Sequence, residues 1–219
     1  MITPDLFADA RDDAAPSTEP LAPGAVVLRG FARAHAAALL AAVEGVLAEA
    51  PLRHLVTPGG FTMSVAMSNC GALGWVSDRS GYRYDPADPE SGRAWPAMPE
   101  VLRRLAAGAA AAGGFDGFEP DACLINCYAP GSRLSLHQDR DERDHRAPIV
   151  SVSLGIPALF LFGGQKRADK TMRVPLFDGD VVVWGGPSRL RFHGVLPLKP
   201  AHDPRLGERR INLTFRKAG

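Results

Sequence analysis

His137 and Asp139, within Leu136-His137-Gln138-Asp139-Arg140-Asp141, place an imidazole and a carboxylate two residues apart. On an extended strand, residues i and i+2 point to the same face, so both side chains can close on one metal ion. A third ligand candidate lies far downstream: His193, in Arg191-Phe192-His193-Gly194-Val195. Two imidazoles and one carboxylate leave coordination positions open. That set suits ferrous iron that must also bind a co-substrate and oxygen. A bare His-x-Asp pair is common, and the charged run Arg140, Asp141, Glu142, Arg143, Asp144, His145 equally suits a surface turn. His145 and His202 are rival imidazoles. His193 differs from them in lying in a strand-like segment, Leu190 to Val195, after the turn Trp184-Gly185-Gly186.

The last strand candidate reads Arg210-Ile211-Asn212-Leu213-Thr214-Phe215-Arg216. Alternation puts Arg210, Asn212, Thr214 and Arg216 on one face and Ile211, Leu213 and Phe215 on the other. Facing water, the first row is an ordinary polar face. Facing a protein interior, it sets out two cations that need anions, because an unpartnered buried arginine is costly. A dicarboxylate such as 2-oxoglutarate answers both, since guanidinium pairs carboxylate with matched geometry.

The elements that must position these groups can be read from pattern. Ala34 to Ala50 carries one apolar stripe at spacings of three and four and predicts a helix ended by Pro51. Pro99 to Ala112 predicts a second, stopped by Gly113-Gly114. Short strands are expected at Ala25 to Leu28, Phe61 to Met67, Ala122 to Tyr128, Ile149 to Leu154, Ala158 to Phe162, Met172 to Leu176, Asp180 to Trp184, Leu190 to His193 and Arg209 to Phe215. Many short strands with Gly/Pro turns indicate a mostly β (α+β) sandwich or barrel, and a jelly-roll (double-stranded β-helix) core braced by two N-terminal helices is the natural candidate. Residues 1–24 read as a loosely held extended lead-in, 25–219 as one domain, 120–219 as its jelly-roll core, and the Gly-, Pro- and aromatic-rich 52–99 as a cover over the site.

Composition bounds the rest. The 219 residues are 46% hydrophobic, enough for a full core, and 25 basic against 24 acidic residues give a net charge of +1. That balance neither shows nor excludes a nucleic-acid partner. Cys70, Cys123 and Cys127 are an odd set, better read as buried thiols than as a disulfide framework or a zinc site. The start, Met1-Ile2-Thr3-Pro4-Asp5, has no secretory pattern, and the apolar run Ala106 to Ala112 is too short to span a bilayer. A cytoplasmic protein without membrane association is expected.

The chain resembles the AlkB family of iron- and 2-oxoglutarate-dependent dioxygenases, and especially its bacterial alkylated-DNA repair members. The residues that carry the resemblance are His137-x-Asp139, His193 and Arg210-x-Asn212-x-Thr214-x-Arg216. It extends through Thr57-Pro58-Gly59-Gly60, Thr62-Met63-Ser64-Val65-Ala66-Met67, Pro120 to Asn126, Tyr128-Ala129-Pro130-Gly131 and Val181 to Gly186. Two positions depart from the family: Arg140 stands where it has lysine, which keeps the charge, and Phe61 where it has tyrosine, which loses a hydroxyl.

The resemblance implies that His137, Asp139 and His193 bind Fe(II), with Arg216 completing the catalytic set. Arg210, Asn212 and Tyr128 would hold the far carboxylate of 2-oxoglutarate, Arg216 and Asn126 its chelating end, and Leu124 would line the pocket. Residues 52–99 would be a nucleotide-recognition lid. There Trp75 would stack on a flipped base, Tyr82 and Thr57 would meet the backbone, and Met67, Asp141 and Arg167 would contact the base or its surroundings. The implied reaction uses O2 and 2-oxoglutarate to demethylate 1-methyladenine and 3-methylcytosine in single-stranded or duplex DNA, with RNA a further candidate. It releases formaldehyde, succinate and CO2, and the protein is expected to act as a monomer. The alternatives are a 2-oxoglutarate oxygenase acting on a small molecule or a protein, and a reader of alkylated nucleic acid that does not turn it over.

Overall fold

The computed structural model describes residues 15–219. In chain order the strands are β1 (Ser17–Ala22), β2 (Ala25–Arg29), β3 (Arg53–Val56), β4 (Thr62–Gly71), β5 (Gly74–Asp78), β6 (Gly81–Asp85), β7 (Ala122–Tyr128), β8 (Leu134–His137), β9 (Ile149–Gly155), β10 (Ala158–Phe162), β11 (Met172–Leu176), β12 (Val181–Trp184), β13 (His193–Val195) and β14 (Arg210–Arg216). The helices are α1 (Ala36–Glu49) and α2 (Glu100–Ala112). Pro51 follows α1 closely, where a missing N–H and a fixed φ end a helix. Pro99 precedes α2 and Glu100 opens it, placing a carboxylate at the positive end of the helix dipole.

Two antiparallel sheets face each other. Eight strands run in the order β1-β2-β12-β9-β14-β7-β4-β3, and four in the order β11-β10-β13-β8. The alternation along β14 sorts the layers. Ile211, Leu213 and Phe215, with Cys123, Ile125, Val150 and Val152, form a cluster with Leu39, Val43 and Val46 of α1 and Leu102, Leu105 and Ala109 of α2. The helices thus brace the large sheet from outside. Its other face packs Val65, Met67, Leu124, Tyr128 and Trp184 against Phe160, Phe162, Val174 and Val195 of the small sheet. Arg210, Asn212, Thr214 and Arg216 are all buried on this inner side. The jelly-roll expectation holds, and the polar row of β14 faces inward.

Several elements differ from the sequence reading. Residues 1–14 of the lead-in lie outside the described residues, but 17–22 form β1, paired from Ser17 opposite Arg29 to Ala22 opposite Ala25. Pro20 fits there because β1 is an edge strand, where a missing donor is tolerated. Arg29 ties it in, reaching Glu19 and Asp180 at 2.7 Å each. The strand expected at 190–193 begins only at His193, because the Gly-Gly-Pro turn continues as a 3-10 turn over Gly186–Ser188. β8 is too short and too polar to announce itself. Within 52–99 the structure holds an ordered hairpin, β5–β6, joined in register from Gly74 opposite Asp85 to Asp78 opposite Gly81. No helix among the described residues is long and apolar enough to cross a membrane.

Candidate metal centre

β13 pairs antiparallel with β8, and this sets His193 directly opposite His137. Their ring centroids are 4.4 Å apart. Asp139 follows two residues beyond the end of β8, in a loop, so the strand delivers one ligand and its exit the other. Asp139 Oδ1 lies 3.5 Å from His137 Nε2, and Oδ2 3.7 Å from His193 Nε2. All three ligand atoms fall within 4.8 Å of one another. Each imidazole turns Nδ1 to a backbone carbonyl two residues earlier: His137 to Ser135 O at 2.8 Å, His193 to Arg191 O at 3.1 Å. A carbonyl only accepts, so Nδ1 carries the proton and Nε2 keeps a lone pair for a metal.

Burial, then the neighbouring His137, lowers the His193 pKa to about 4, which leaves it neutral and fit to ligate near pH 7. Burial would raise the Asp139 carboxyl. Arg216, His193 and His137 outweigh it and hold that carboxyl well below its usual range. Arg216 grips Asp139 Oδ2 through Nε at 3.0 Å and Nη2 at 2.6 Å. The donor set, its spacing and its charge fit a divalent iron with positions left open.

Gly194 makes the pairing possible. Two residues of β13 span three of β8 between the pairs His193/His137 and Val195/Leu134. A Cβ at Gly194 would stand 2.7 Å from the Leu134 carbonyl oxygen and 3.2 Å from Leu136 N. Gly194→Ala is expected to push β13 from β8, at about 1–3 kcal/mol of stability for overpacking. The two imidazoles would separate with it. Thermal unfolding combined with Fe(II) titration checks this, and unaltered iron affinity would contradict it.

Beside the triad runs a second polar patch in cross-strand register: Arg210 opposite Tyr128, Asn212 opposite Asn126, Thr214 opposite Leu124. Asn212 is saturated by its neighbours, with Nδ2 donating to Ser151 Oγ at 2.8 Å and Val152 O at 2.9 Å, and Oδ1 accepting from Thr214 at 3.0 Å. Arg210 is not. It is 1% exposed, lies 5.0 Å above the Tyr128 ring and donates from Nη2 to Ser153 Oγ at 2.9 Å. Its Nε and Nη1 have no hydrogen-bond partner among the described residues, nor has Asn126 Oδ1. Burial lowers the Arg210 pKa, and burial pushes the Tyr128 phenol up to about 12, so it stays a donor. A buried guanidinium with two free donors fits an organic carboxylate.

Arg216 is a different case. The sequence reading gave both arginines to the dicarboxylate, but Arg216 is already paired with Asp139 and, at 3.2 Å, with Glu142. Of the two, Arg210 is the one without an anion among the described residues.

The residues expected to meet substrate divide into two groups. Trp75 and Tyr82 stack on the β5–β6 hairpin, 5.6 Å apart and 13° from parallel. Trp75 Nε1–H donates to Asp141 Oδ2 at 2.9 Å, so the structure joins two residues that the sequence separates widely. Thr57 closes the β3–β4 turn, its Oγ1 accepting from Phe61 N at 3.1 Å, with Phe61 76% exposed at the tip. Arg167 lies over the Phe192 ring at 5.2 Å, next to His193 in sequence. Met67 is buried on the inner face of the large sheet, by alternation from Val65, in the cluster that holds Leu124 and Tyr128 and that Trp75 packs against.

Three residues escaped the sequence reading. Glu142 is buried, accepts from Tyr84 Oη at 2.8 Å and lies 3.1 Å from Arg189 Nη2. Arg189 Nη1 also donates to the Asp139 carbonyl at 2.7 Å. Burial holds the Tyr84 phenol well above its usual range, keeping it protonated. Glu142 sits in a charged run that reads as solvated, and nothing in its spacing signals burial.

Comparison with known proteins agrees with this geometry. Residues 24–216 match the model of the 2OG-Fe(II) oxygenase superfamily. The chain is 58% identical over 215 residues to the alpha-ketoglutarate-dependent dioxygenase AlkB of Escherichia coli K12, covering 98% of each. It is 37% identical over 131 residues to the mouse nucleic acid dioxygenase ALKBH1, covering 60% of this chain and 33% of that one. The solved structure of OsALKBH1 superposes with a TM-score of 0.80 at 30% identity, over 92% of this chain and all of that one. The chain therefore belongs to the 2OG-Fe(II) oxygenase superfamily, and it is a dioxygenase that requires Fe(II) and 2-oxoglutarate.

Proposed function

We propose that the protein reverses N-alkylation of nucleobases, taking methyl groups from 1-methyladenine and 3-methylcytosine in DNA and from the same lesions in RNA, as a monomer. The observation that carries this reading is the Trp75–Asp141 pair: an aromatic plate fixed to a carboxylate, two residues along the chain from the iron ligand Asp139. A stacking surface is worth about 1–3 kcal/mol per base, and a carboxylate at its edge favours a cationic one. Methylation of the pairing edge weakens pairing and so lowers the cost of extruding the base. The relatives named AlkB and nucleic acid dioxygenase support a nucleic-acid substrate.

In this reading His137, Asp139 and His193 hold Fe(II), which with 2-oxoglutarate and O2 supplies hydroxylation of a C–H bond, yielding succinate and CO2. The Nδ1–carbonyl bonds keep both imidazoles aimed at the metal, and Arg216 keeps Asp139 ionised. Arg210 and Tyr128 take the far carboxylate of 2-oxoglutarate, with Asn212 as support, while Asn126 and Leu124 bound the pocket. Trp75 stacks on the base, Tyr82, Thr57 and Arg167 contact the strand around it, and Met67 backs the pocket wall. A hydroxylated N-methyl group is a hemiaminal, which sheds formaldehyde and restores the base.

The test is succinate and formaldehyde formation with a 1-methyladenine or 3-methylcytosine oligonucleotide. Equal formaldehyde release from the unmodified oligonucleotide would refute the reading. Asp141→Asn keeps an oxygen for Trp75 Nε1 but removes the charge. It is expected to lower kcat/KM about tenfold for 3-methylcytosine and much less for a neutral alkylated base, as loss of one charge-assisted contact predicts. An equal loss on both would contradict the assigned role.

A further inference from the structure

We infer that Tyr84 and Glu142 are positioning residues that latch the β5–β6 hairpin to the segment carrying Asp139, an inference that rests on the nucleobase reading of that hairpin. The charges around Asp139 balance without Tyr84: Arg189 and Arg216 face Asp139 and Glu142. A phenylalanine would fill the same space, yet a hydroxyl reaches in and donates to Glu142 Oε1 at 2.8 Å. Glu142 is paired with two guanidiniums, Arg216 Nε at 3.2 Å from the same Oε1 and Arg189 Nη2 at 3.1 Å from Oε2, and its side chain is 1% exposed. Arg189 is itself pinned, donating to the carbonyls of Asp139 and Ala147. The acceptor is therefore rigid with respect to the metal ligands.

The geometry of attachment is what makes this a latch. Trp75 and Tyr84 are directly opposite each other in the hairpin. They donate to consecutive residues, Asp141 and Glu142. The base of the hairpin is already tied to the large sheet, Trp75 N–H and O to the Asn69 amide and Ser77 Oγ to Val56 O, so the two side-chain bonds set the angle of its outer face to the metal-ligand segment. The plane of the Trp75 ring is thereby defined relative to the iron ligands, of which Asp139 lies two residues before Asp141. Sequence gave no sign of this, because the contacts join a lid tyrosine to a glutamate in a charged run.

The test uses full-length protein without metal, so its readouts do not depend on turnover. Tyr84→Phe removes the hydroxyl alone. Hydrogen exchange of amides 74–85 is expected to speed up about tenfold, and the Kd for a single-stranded 3-methylcytosine oligonucleotide, read by fluorescence anisotropy, to rise about tenfold, as loss of one hydrogen bond to a charged acceptor predicts. Exchange in α1 and α2 is expected to match the wild type. Unchanged exchange over 74–85 would overturn the latch, and so would acceleration that extends equally to the helices, which marks a general loss of stability. If the wild-type protein binds methylated and unmodified oligonucleotides alike, the nucleobase reading fails and the exchange result alone decides the latch.

Discussion

Replacing His193 with alanine is expected to abolish turnover and to weaken Fe(II) binding by more than about a hundredfold, beyond the 10–100-fold that loss of an outer-sphere partner costs. His193 is buried, like Asp139, and is the ligand that β13 delivers opposite His137. Without it, two donors two residues apart remain, and Asp139 stays clamped by Arg216. The fold survives because the lost ring contacts are few: His137 at 4.4 Å, Trp184 at 5.0 Å and Phe160 at 6.0 Å between centroids. Circular dichroism and thermal unfolding separate loss of metal from loss of structure. A folded His193→Ala protein with wild-type iron affinity would remove His193 from the centre.

The second large effect concerns Arg210. Arg210→Met keeps length and apolar bulk but removes a buried cation with two unpartnered donors. The apoprotein is expected to gain about 1–3 kcal/mol, since burying charge without a counter-charge opposes folding. For a chain of this size that is roughly 2–4 °C in Tm per kcal/mol. The same substitution is expected to eliminate 2-oxoglutarate binding. At a hundredfold excess over Kd, 2-oxoglutarate stabilises a binding-competent protein by about 2.7 kcal/mol, and that shift in Tm would vanish. A variant that is less stable than wild type yet still stabilised by 2-oxoglutarate would show that Arg210 is structural and that the acid binds elsewhere.

The contrast between the two arginines marks where sequence reasoning stops. Alternation along 210–216 puts both on one face, and the structure agrees. Which of them needs an external anion depends on what the inner face brings near. Asp139 and Glu142 come from a loop after β8, and no local pattern announces that they meet Arg216. The triad was legible because its residue types are rare in combination and His-x-Asp is a local signal. The helices were legible because their apolar spacing is strong. β8 was not, being only four residues long, although it carries a ligand, and the strand expected at 190–193 begins only at His193. The cover over 52–99 was read from texture, whereas its ordered hairpin and the bonds from Trp75 and Tyr84 to 141 and 142 are tertiary facts. A motif gives the neighbourhood of a site, and strand alternation decides which side of the wall a residue such as Met67 occupies.

The central claim is that three distant side chains close on one iron, with a buried arginine taking the outer carboxylate of the acid bound to it. Anomalous diffraction at the iron edge, from anaerobic crystals grown with Fe(II) and 2-oxoglutarate, tests it most directly. The account predicts a single iron peak bounded by His137 Nε2, Asp139 and His193 Nε2, with one carboxylate of 2-oxoglutarate against the Arg210 guanidinium. An iron peak away from those three residues, or 2-oxoglutarate lying clear of Arg210, would contradict it.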